Sequence, residues 1–197
     1  MNDGVGNYSH MQVLMPGADG RDYYRAKSPA TRTAGSHYSG KPLPVFTIRT
    51  REEAWSNPFI TILEPFGSKG EHSVKAVEKL DDLSNSHHPV LKVINMDGSE
   101  QFIFQGNNPS RKISNSQLTF SGYFGVASLR DGQLEHLYLG EGCHISFGVV
   151  SIRAPEGKTS AELEIFDDGT YRISSNNPVV IDFGETNSII SELVKDD

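Results

Sequence analysis

Hydrophobic and polar residues alternate with a period of two along much of the second half of the chain. Ala161, Leu163 and Ile165 are separated by polar residues, and Tyr171 and Ile173 continue the same pattern after a short break. Successive side chains of a β-strand point to opposite faces of a sheet, so this spacing is typical of strands. The pattern therefore predicts strands with one buried face and one face in water.

Asp-Gly dipeptides separate such runs at three places. The three pairs are Asp97-Gly98, Asp131-Gly132 and Asp168-Gly169. Asp-Gly tolerates the positive φ values of a tight primed turn, so each pair predicts a β-hairpin. A fourth pair, Asp19-Gly20, lies between two further strand-like runs and is a weaker candidate for the same turn.

Further apolar runs bounded by Gly, Asn, Asp or Pro recur roughly every 8–12 residues, the spacing of a sandwich or barrel. Strands do not alternate with helices, which excludes a dinucleotide-binding fold. Ser188–Lys195 fits either a short terminal helix or a last strand. We therefore predict an all-β fold, an antiparallel two-layer β-sandwich rich in Asp-Gly hairpins, with at most one short C-terminal helix.

The charge of the chain is uneven. The 197 residues carry a net charge of −7, yet the first 51 residues hold seven basic and three acidic side chains, a net charge of +4. A net negative chain opposes non-specific binding to phosphate backbones, and no nucleic-acid-binding motif accompanies the basic segment. We expect no nucleic-acid partner. The basic first quarter is either ordinary solvated surface or a region that faces an anionic ligand.

Several protein classes are excluded by simple features of the sequence. No apolar run approaches the roughly 20 residues of a membrane-spanning helix. The first fifteen residues lack the basic start and apolar core of a signal peptide. Cys143 is the single cysteine, which excludes an internal disulfide framework and a cysteine-rich zinc site.

Catalytic and metal-binding chemistry is sparse in the sequence. Neither a Gly-x-Ser-x-Gly nucleophile elbow nor a phosphate-binding glycine loop is present, and we predict no cofactor and no catalytic residue. His136 and His144 are weak metal candidates, because a tight hairpin at Gly140–Gly142 would place them opposite each other. A histidine pair without a visible carboxylate partner is a weak signal, so no metal site is predicted.

Exposed aromatic rings flanked by arginines are typical of sugar-binding surfaces. Trp55 lies close in sequence to Arg49 and Arg51, and Tyr38 and Tyr23 belong to the same basic quarter. These five residues are the candidates for carbohydrate contact. In the alternative interpretation, Trp55 anchors the core.

Two segments of the first 66 residues resemble a known enzyme family. The segments HMQVLMPGADGRDYYRAKSP and PLPVFTIRTREEAWSNPFITILEPF resemble the late β-sandwich region of heparinase II/III-like polysaccharide lyases. Residues 73–197 resemble the C-terminal β-domain of such lyases in pattern rather than in motif. We predict one β-sandwich unit over residues 1–197, with a boundary near residues 67–72 that separates residues 1–66 from this C-terminal β-domain.

The resemblance implies a function without catalysis in this chain. In that family a helical toroid supplies the catalytic tyrosine base, and this sequence has no long amphipathic helical pattern. His10, Arg49 and Trp55 lie in the matching segments but receive no family role. The resemblance implies a periplasmic or secreted setting, and it names an acidic polysaccharide or the catalytic part of a lyase as partner.

Three functions follow as hypotheses. The leading one is a non-catalytic accessory β-sandwich of a polysaccharide lyase that acts on uronic-acid polysaccharides. The second is a stand-alone carbohydrate-binding module, which an exposed Trp55 beside Tyr38 would favour. The third is an independent enzyme, which needs His136 and His144 to converge on an acid. A surface that lacks its partner domain should remain partly apolar, so we also expect a homodimer.

Overall fold

The computed structural model describes residues 9–28, 42, 44–51, 58–67, 70–84, 88–184 and 188–190. These residues form strands and no helix, as the sequence predicts. The strands, in chain order, are β1 (Ser9–Leu14), β2 (Arg21–Lys27), β3 (Pro44–Thr50), β4 (Ile62–Gly67), β5 (Val74–Lys79), β6 (Val90–Asn95), β7 (Glu100–Gln105), β8 (Ile113–Ser114), β9 (Leu118–Ser121), β10 (Phe124–Arg130), β11 (Gln133–Gly142), β12 (His144–Phe147), β13 (Val150–Arg153), β14 (Thr159–Ile165), β15 (Tyr171–Ser175), β16 (Val180–Asp182) and β17 (Ser188–Ile190).

Contacts divide the chain into two compact units. One unit is Gly17–Phe59, and the other combines Met1–Pro16 with Ile60–Asp197. The smaller unit contains the two-stranded sheet β2-β3, and every other strand belongs to the larger unit. The boundary predicted near residues 67–72 stays a prediction.

The larger unit contains two antiparallel sheets that share a core. The seven-stranded sheet has the order β15-β14-β11-β10-β7-β6-β5, and the six-stranded sheet has the order β17-β16-β13-β12-β9-β8. Phe104 of the first sheet stacks on Phe120 of the second, with ring centroids 5.1 Å apart. Phe102 of the first sheet also contacts Phe147 of the second, with ring centroids 5.7 Å apart and the rings tilted by 44°. The predicted two-layer sandwich is therefore confirmed.

Three of the predicted hairpin turns are confirmed. Asp97-Gly98 joins β6 to β7, Asp131-Gly132 joins β10 to β11, and Asp168-Gly169 joins β14 to β15, each between paired antiparallel strands. The glycine of each turn has a positive φ, and so does Asp131. Asp19-Gly20 also forms a turn but closes no hairpin, because β1 pairs with β4 and β2 pairs with β3. The tight turn alone does not decide which strands pair.

The C-terminal segment is partly described. The sequence of Ser188–Lys195 fits either a helix or a strand. Of this segment, Ser188–Ile190 forms the strand β17, which pairs with β16. Residues 191–195 lie outside the described residues.

The two-stranded sheet β1-β4 is fastened to the start of β5 by polar contacts. The side-chain amide of Gln12 donates to the carbonyl oxygen of Val74 at 2.9 Å. The carboxylate of Glu64 accepts from the hydroxyl of Ser73 at 2.7 Å, from the Ser73 amide, and from the Val74 amide at 3.1 Å. The Ser73 hydroxyl, followed by the Ser73 amide, holds the pKa of Glu64 below its ordinary value of 4.5.

This contact predicts a pH-dependent local stability. Because the pKa of Glu64 is lowered by folding, its contribution is present above pH 4.5 and is lost as the pH falls through the lower folded-state value. Glu64→Gln is expected to speed amide hydrogen exchange at Ser73 and Val74 severalfold at neutral pH, measured by NMR. The difference from the wild type should vanish in acid.

Glu78→Gln is the matched control for this prediction, because Glu78 is an exposed glutamate on β5 itself. Equal exchange rates in the wild type and Glu64→Gln at neutral pH would contradict the assigned role of Glu64.

Candidate functional site

The ribbon β2-β3 contains Tyr23 and Arg49, two of the candidate carbohydrate residues, and a third, Arg51, directly follows β3. Its antiparallel register places Tyr23 opposite Ile48 and Arg25 opposite Phe46. Since paired residues share a face and neighbours alternate, the register sorts the side chains of the ribbon into two faces.

One side of the ribbon, here called the cationic face, combines aromatic rings with basic groups. It consists of Arg21, Tyr23, Arg25, Lys27, Pro44, Phe46, Ile48 and Thr50. Tyr23 and Phe46 stack with their ring centroids 6.3 Å apart and an interplanar angle of 28°. Their exposed fractions are 48% and 61%, so the stacked pair offers a hydrophobic platform to solvent. None of the eight residues is acidic.

The three basic residues of the cationic face differ in the contacts that their side chains make. One terminal nitrogen of Arg21 donates to the carbonyl oxygen of Pro58 at 2.7 Å, and its guanidinium carbon lies 4.8 Å from the ring centroid of Phe59. Arg21 is therefore anchored within its unit. Arg25 and Lys27 are exposed, and no carboxylate among the described residues lies within ion-pair distance of either.

The opposite side of the ribbon, here called the neutral face, has a different composition. It consists of Asp22, Tyr24, Ala26, Val45, Thr47 and Arg49. Its single carboxylate, Asp22, is directly opposite Arg49 in the register. Just beyond β3, the Nε atom of Arg51 lies 3.1 Å from an oxygen of Asp22. These three groups leave a net charge of +1, whereas the cationic face carries three basic side chains and no acidic one.

The five candidate carbohydrate residues thus do not form one surface. Tyr23 belongs to the cationic face, Arg49 belongs to the neutral face, and Arg51 is paired with Asp22. Trp55 and Tyr38 lie outside the described residues, so the question of an exposed Trp55 stays open.

The three basic members of the cationic face, and Phe46 with them, are not among the five residues that the sequence offers as candidates. Arg21, Arg25 and Lys27 occupy alternate positions of β2 together with Tyr23. Alternate residues of a strand share a face, so this spacing is a signal that could group them. Phe46 had no comparable signal, because only the pairing of β2 with β3 places it beside Arg25.

The structure places His136 and His144 in different sheets. Gly140–Gly142 belongs to β11 and forms no hairpin, which corrects the geometry expected from the sequence. After Gly142 the chain passes through Cys143 into β12, which belongs to the six-stranded sheet. The two histidines therefore have separate surroundings.

Each histidine has its own neighbours. The Nε2 atom of His136 lies 2.8 Å from an oxygen of Glu162 on the neighbouring strand β14. Burial, followed by the charges of Lys112 and Arg153, lowers the pKa of His144 below its ordinary value of 6.5. Among the described residues, no group of three or more His, Cys, Asp or Glu side chains is placed to hold a metal ion.

A groove lies between β4 and the seven-stranded sheet. Its volume is about 530 Å³, and its lining combines apolar and uncharged polar side chains with one carboxylate. The lining residues are Ile62, Ser73, Val74, Val93, Asn95, Met96, Asp97, Gln101 and Ile103. Neither His136 nor His144 lines it.

Asp97 makes this groove unsuited to an anionic ligand. The hydroxyl and the amide of Ser99 donate to its carboxylate at 2.7 and 3.0 Å. These contacts, with a smaller contribution from Arg130, hold the pKa of Asp97 below its ordinary value of 3.8. The carboxylate is therefore charged at neutral pH. Arg130, with a terminal nitrogen 3.7 Å from it, compensates part of this charge, and the groove lining itself contains no cation.

Part of the chain is similar in sequence to a known protein family. Residues 74–165 match the family described as the endo-acting ulvan lyase C-terminal domain. The matched segment begins at the first residue of β5 and ends at the last residue of β14. The chain is similar to a lyase C-terminal domain.

A curated protein shows the same relationship over a longer stretch. The endo-acting ulvan lyase of Formosa agariphila is 29% identical over 154 residues, which cover 76% of this chain and 19% of that protein. This chain thus spans about a fifth of the length of the relative it matches. The two similarities support a polysaccharide-lyase C-terminal domain, and they do not single out the heparinase II/III-like group.

One negative finding concerns membranes. Within the described parts of the chain, no helix has the length and apolar character needed to cross a bilayer.

Proposed function

We propose that this chain is the non-catalytic, C-terminal β-sandwich part of a polysaccharide lyase that acts on a uronic-acid polysaccharide. The observation that carries this proposal is the match of residues 74–165 to the C-terminal domain of endo-acting ulvan lyases. Ulvan, the polysaccharide in the name of the similar lyase, is the first substrate to test. A heparinase II/III-like parent with a helical toroid stays a prediction within this proposal.

The arrangement of ionisable groups supports an accessory role. Glu162 is occupied by His136, and Glu164 is paired with Arg172 on the next strand. His144 lies in the other sheet, so the two imidazoles do not converge on an acid. General acid–base catalysis needs groups within hydrogen-bond reach of one substrate. This geometry offers little support for the hypothesis of an independent enzyme.

The catalytic part of the parent lyase is the proposed protein partner. The ribbon β1-β4 exposes Met11, Val13 and Leu63, which its register places on one side. An exposed apolar strip of this kind is typical of a surface that another domain covers. Self-association through this strip, and a periplasmic or secreted location, stay predictions.

A lyase assay tests the proposed function directly. β-Elimination creates an unsaturated uronide that absorbs ultraviolet light, so activity appears as rising absorbance. We expect a flat trace when the purified chain is mixed with ulvan, heparin, heparan sulfate, chondroitin sulfate or alginate. The endo-acting ulvan lyase of Formosa agariphila, mixed with ulvan, is the positive control. A rise with this chain alone would overturn the non-catalytic assignment.

A stand-alone carbohydrate-binding module is the second candidate function. The exposed Tyr23–Phe46 stack favours it, because an aromatic platform in solvent suits a sugar ring. This candidate requires glycan binding in the absence of any lyase domain.

A further inference from the structure

We propose that the cationic face of the ribbon β2-β3 binds a strand of acidic polysaccharide. In this complex the Tyr23–Phe46 stack packs against a sugar ring, and Arg25 and Lys27 pair with carboxylate or sulfate groups. The inference rests on the proposed function for the class of polymer, whereas the surface itself is defined by the structure.

Charge complementarity is the first argument. The whole chain has a net charge of −7, yet the cationic face has three basic side chains and no acidic one. A local cluster of one sign attracts a polymer of the opposite sign even on a protein with the same overall sign as the polymer. The neutral face attracts such a polymer less strongly, because its six residues carry one acidic and one basic side chain, and Arg51 beside it brings the local net charge only to +1.

The position of the cations around the rings is the second argument. Arg25 is the direct cross-strand partner of Phe46 and is two residues from Tyr23 on the same face. Two residues along a strand span about 7 Å, so a ring and a guanidinium can contact neighbouring parts of one glycan chain. The planar guanidinium of arginine also matches the geometry of a carboxylate or sulfate.

The state of the basic groups is the third argument. Arg25 and Lys27 are exposed and have no carboxylate partner among the described residues, so they can pair with a ligand without first breaking an ion pair. Arg21 is held by Pro58 and Phe59, and it adds positive charge to one end of the same face from a fixed position. The groove beside β4 is the poorer site, because its lining contains Asp97 and no cation.

Binding to ulvan, measured by titration calorimetry on the full 197-residue chain, tests this inference. The double variant Tyr23→Ala with Arg25→Ala is expected to lose affinity about tenfold or more, because it removes half of the platform and one charge-assisted contact. Lys27→Ala should reduce affinity by a smaller factor. Heparin serves as a second anionic probe and dextran as the neutral one.

The neutral face provides a matched control. Tyr24 is the same residue type with 50% exposure, and Arg49 is an exposed arginine on the same side as Tyr24. Tyr24→Ala with Arg49→Ala should therefore retain the wild-type affinity. Circular dichroism of both double variants checks that the fold is unchanged.

Salt dependence separates an electrostatic complex from simple stacking. Between about 0.01 M and about 0.15 M salt the Debye length falls from about 30 Å to about 8 Å, so wild-type affinity for ulvan should fall. Dextran should not bind at either concentration. Equal losses in the two double variants, or no binding of ulvan and heparin by the wild type, would overturn the inference.

The outcomes also distinguish this inference from the proposed function. If ultraviolet absorbance stays constant and no polysaccharide binds, the proposed accessory function is retained and the cationic face is rejected as a glycan-binding site. A rising trace would overturn the accessory domain, and the comparison of the two double variants would still decide where the glycan binds.

Discussion

Replacement of Gly142 by alanine is expected to lower the free energy of unfolding by about 3 kcal/mol, the upper part of the usual range for overpacking. A Cβ atom at this position would lie 2.4 Å from Cδ1 of Leu139, 2.7 Å from the carbonyl oxygen of Ser121 and 2.8 Å from Cα of Gly122. Two of these three atoms belong to the backbone, so a rotamer change cannot relieve the overlap.

The location of Gly142 explains why the cost should be large. It is the last residue of β11, where the chain leaves the seven-stranded sheet and enters β12 of the six-stranded sheet. A displacement of the backbone here would disturb both layers of the sandwich. Chemical denaturation monitored by circular dichroism measures the change in the free energy of unfolding.

Gly67→Ala is the matched control for Gly142→Ala. A Cβ atom at Gly67 would meet no atom within 4 Å, and Gly67 has no positive φ. Alanine there should be neutral or slightly stabilising, because it restricts the unfolded chain. Unfolding midpoints that are equal for Gly142→Ala and the wild type would show that the crossing between sheets tolerates a side chain.

Removal of the Phe120 ring should lower the free energy of unfolding by about 3–5 kcal/mol, the usual range for Phe→Ala in a core. Phe120 is fully buried on β9, and its ring stacks on Phe104 of β7 at 5.1 Å with an interplanar angle of 26°. The pair thus joins the two sheets. Phe120→Ala would leave a cavity between the two sheets. Because the free energy of unfolding of a domain is usually about 5–15 kcal/mol, this loss would be a large part of the total.

A control and a double-mutant cycle sharpen this prediction. Phe166 is 45% exposed, so Phe166→Ala should change the free energy of unfolding far less than Phe120→Ala. Phe104→Ala and the double variant complete the cycle, in which we expect a coupling of about 0.5–1.5 kcal/mol from the stacked rings. A loss below that of Phe166→Ala would contradict the position of Phe120 in the core.

The cationic face illustrates how far the sequence leads toward a site. The aromatic ring of Tyr23 in a basic segment makes it a candidate in the sequence, and the alternation of β2 places Arg25 beside it. Arg49 lies in the same basic quarter of the sequence as Tyr23, yet the register assigns the two residues to opposite faces. Proximity in sequence could not reveal this, because the face of a residue on β3 depends on its pairing with β2.

His88 shows a similar limit in the core. It is 1% exposed, and its Nε2 atom lies 3.4 Å from the carbonyl oxygen of Asn108. In the sequence His88 stands directly before Pro89, and no periodic apolar pattern there indicates burial. Asn108 is twenty residues away in the sequence, so the two residues meet only in the folded chain.

The sequence by itself determined the local features of this protein. The positive φ of an Asp-Gly turn and the period of two along a strand are properties of neighbouring residues, so the three hairpins and the all-β class could be predicted. Only the tertiary structure decided which strands pair at a distance, such as β1 with β4. It also separated His136 from His144 and brought Phe46 beside Arg25. Those choices depend on contacts between residues far apart in the chain, which no local pattern encodes.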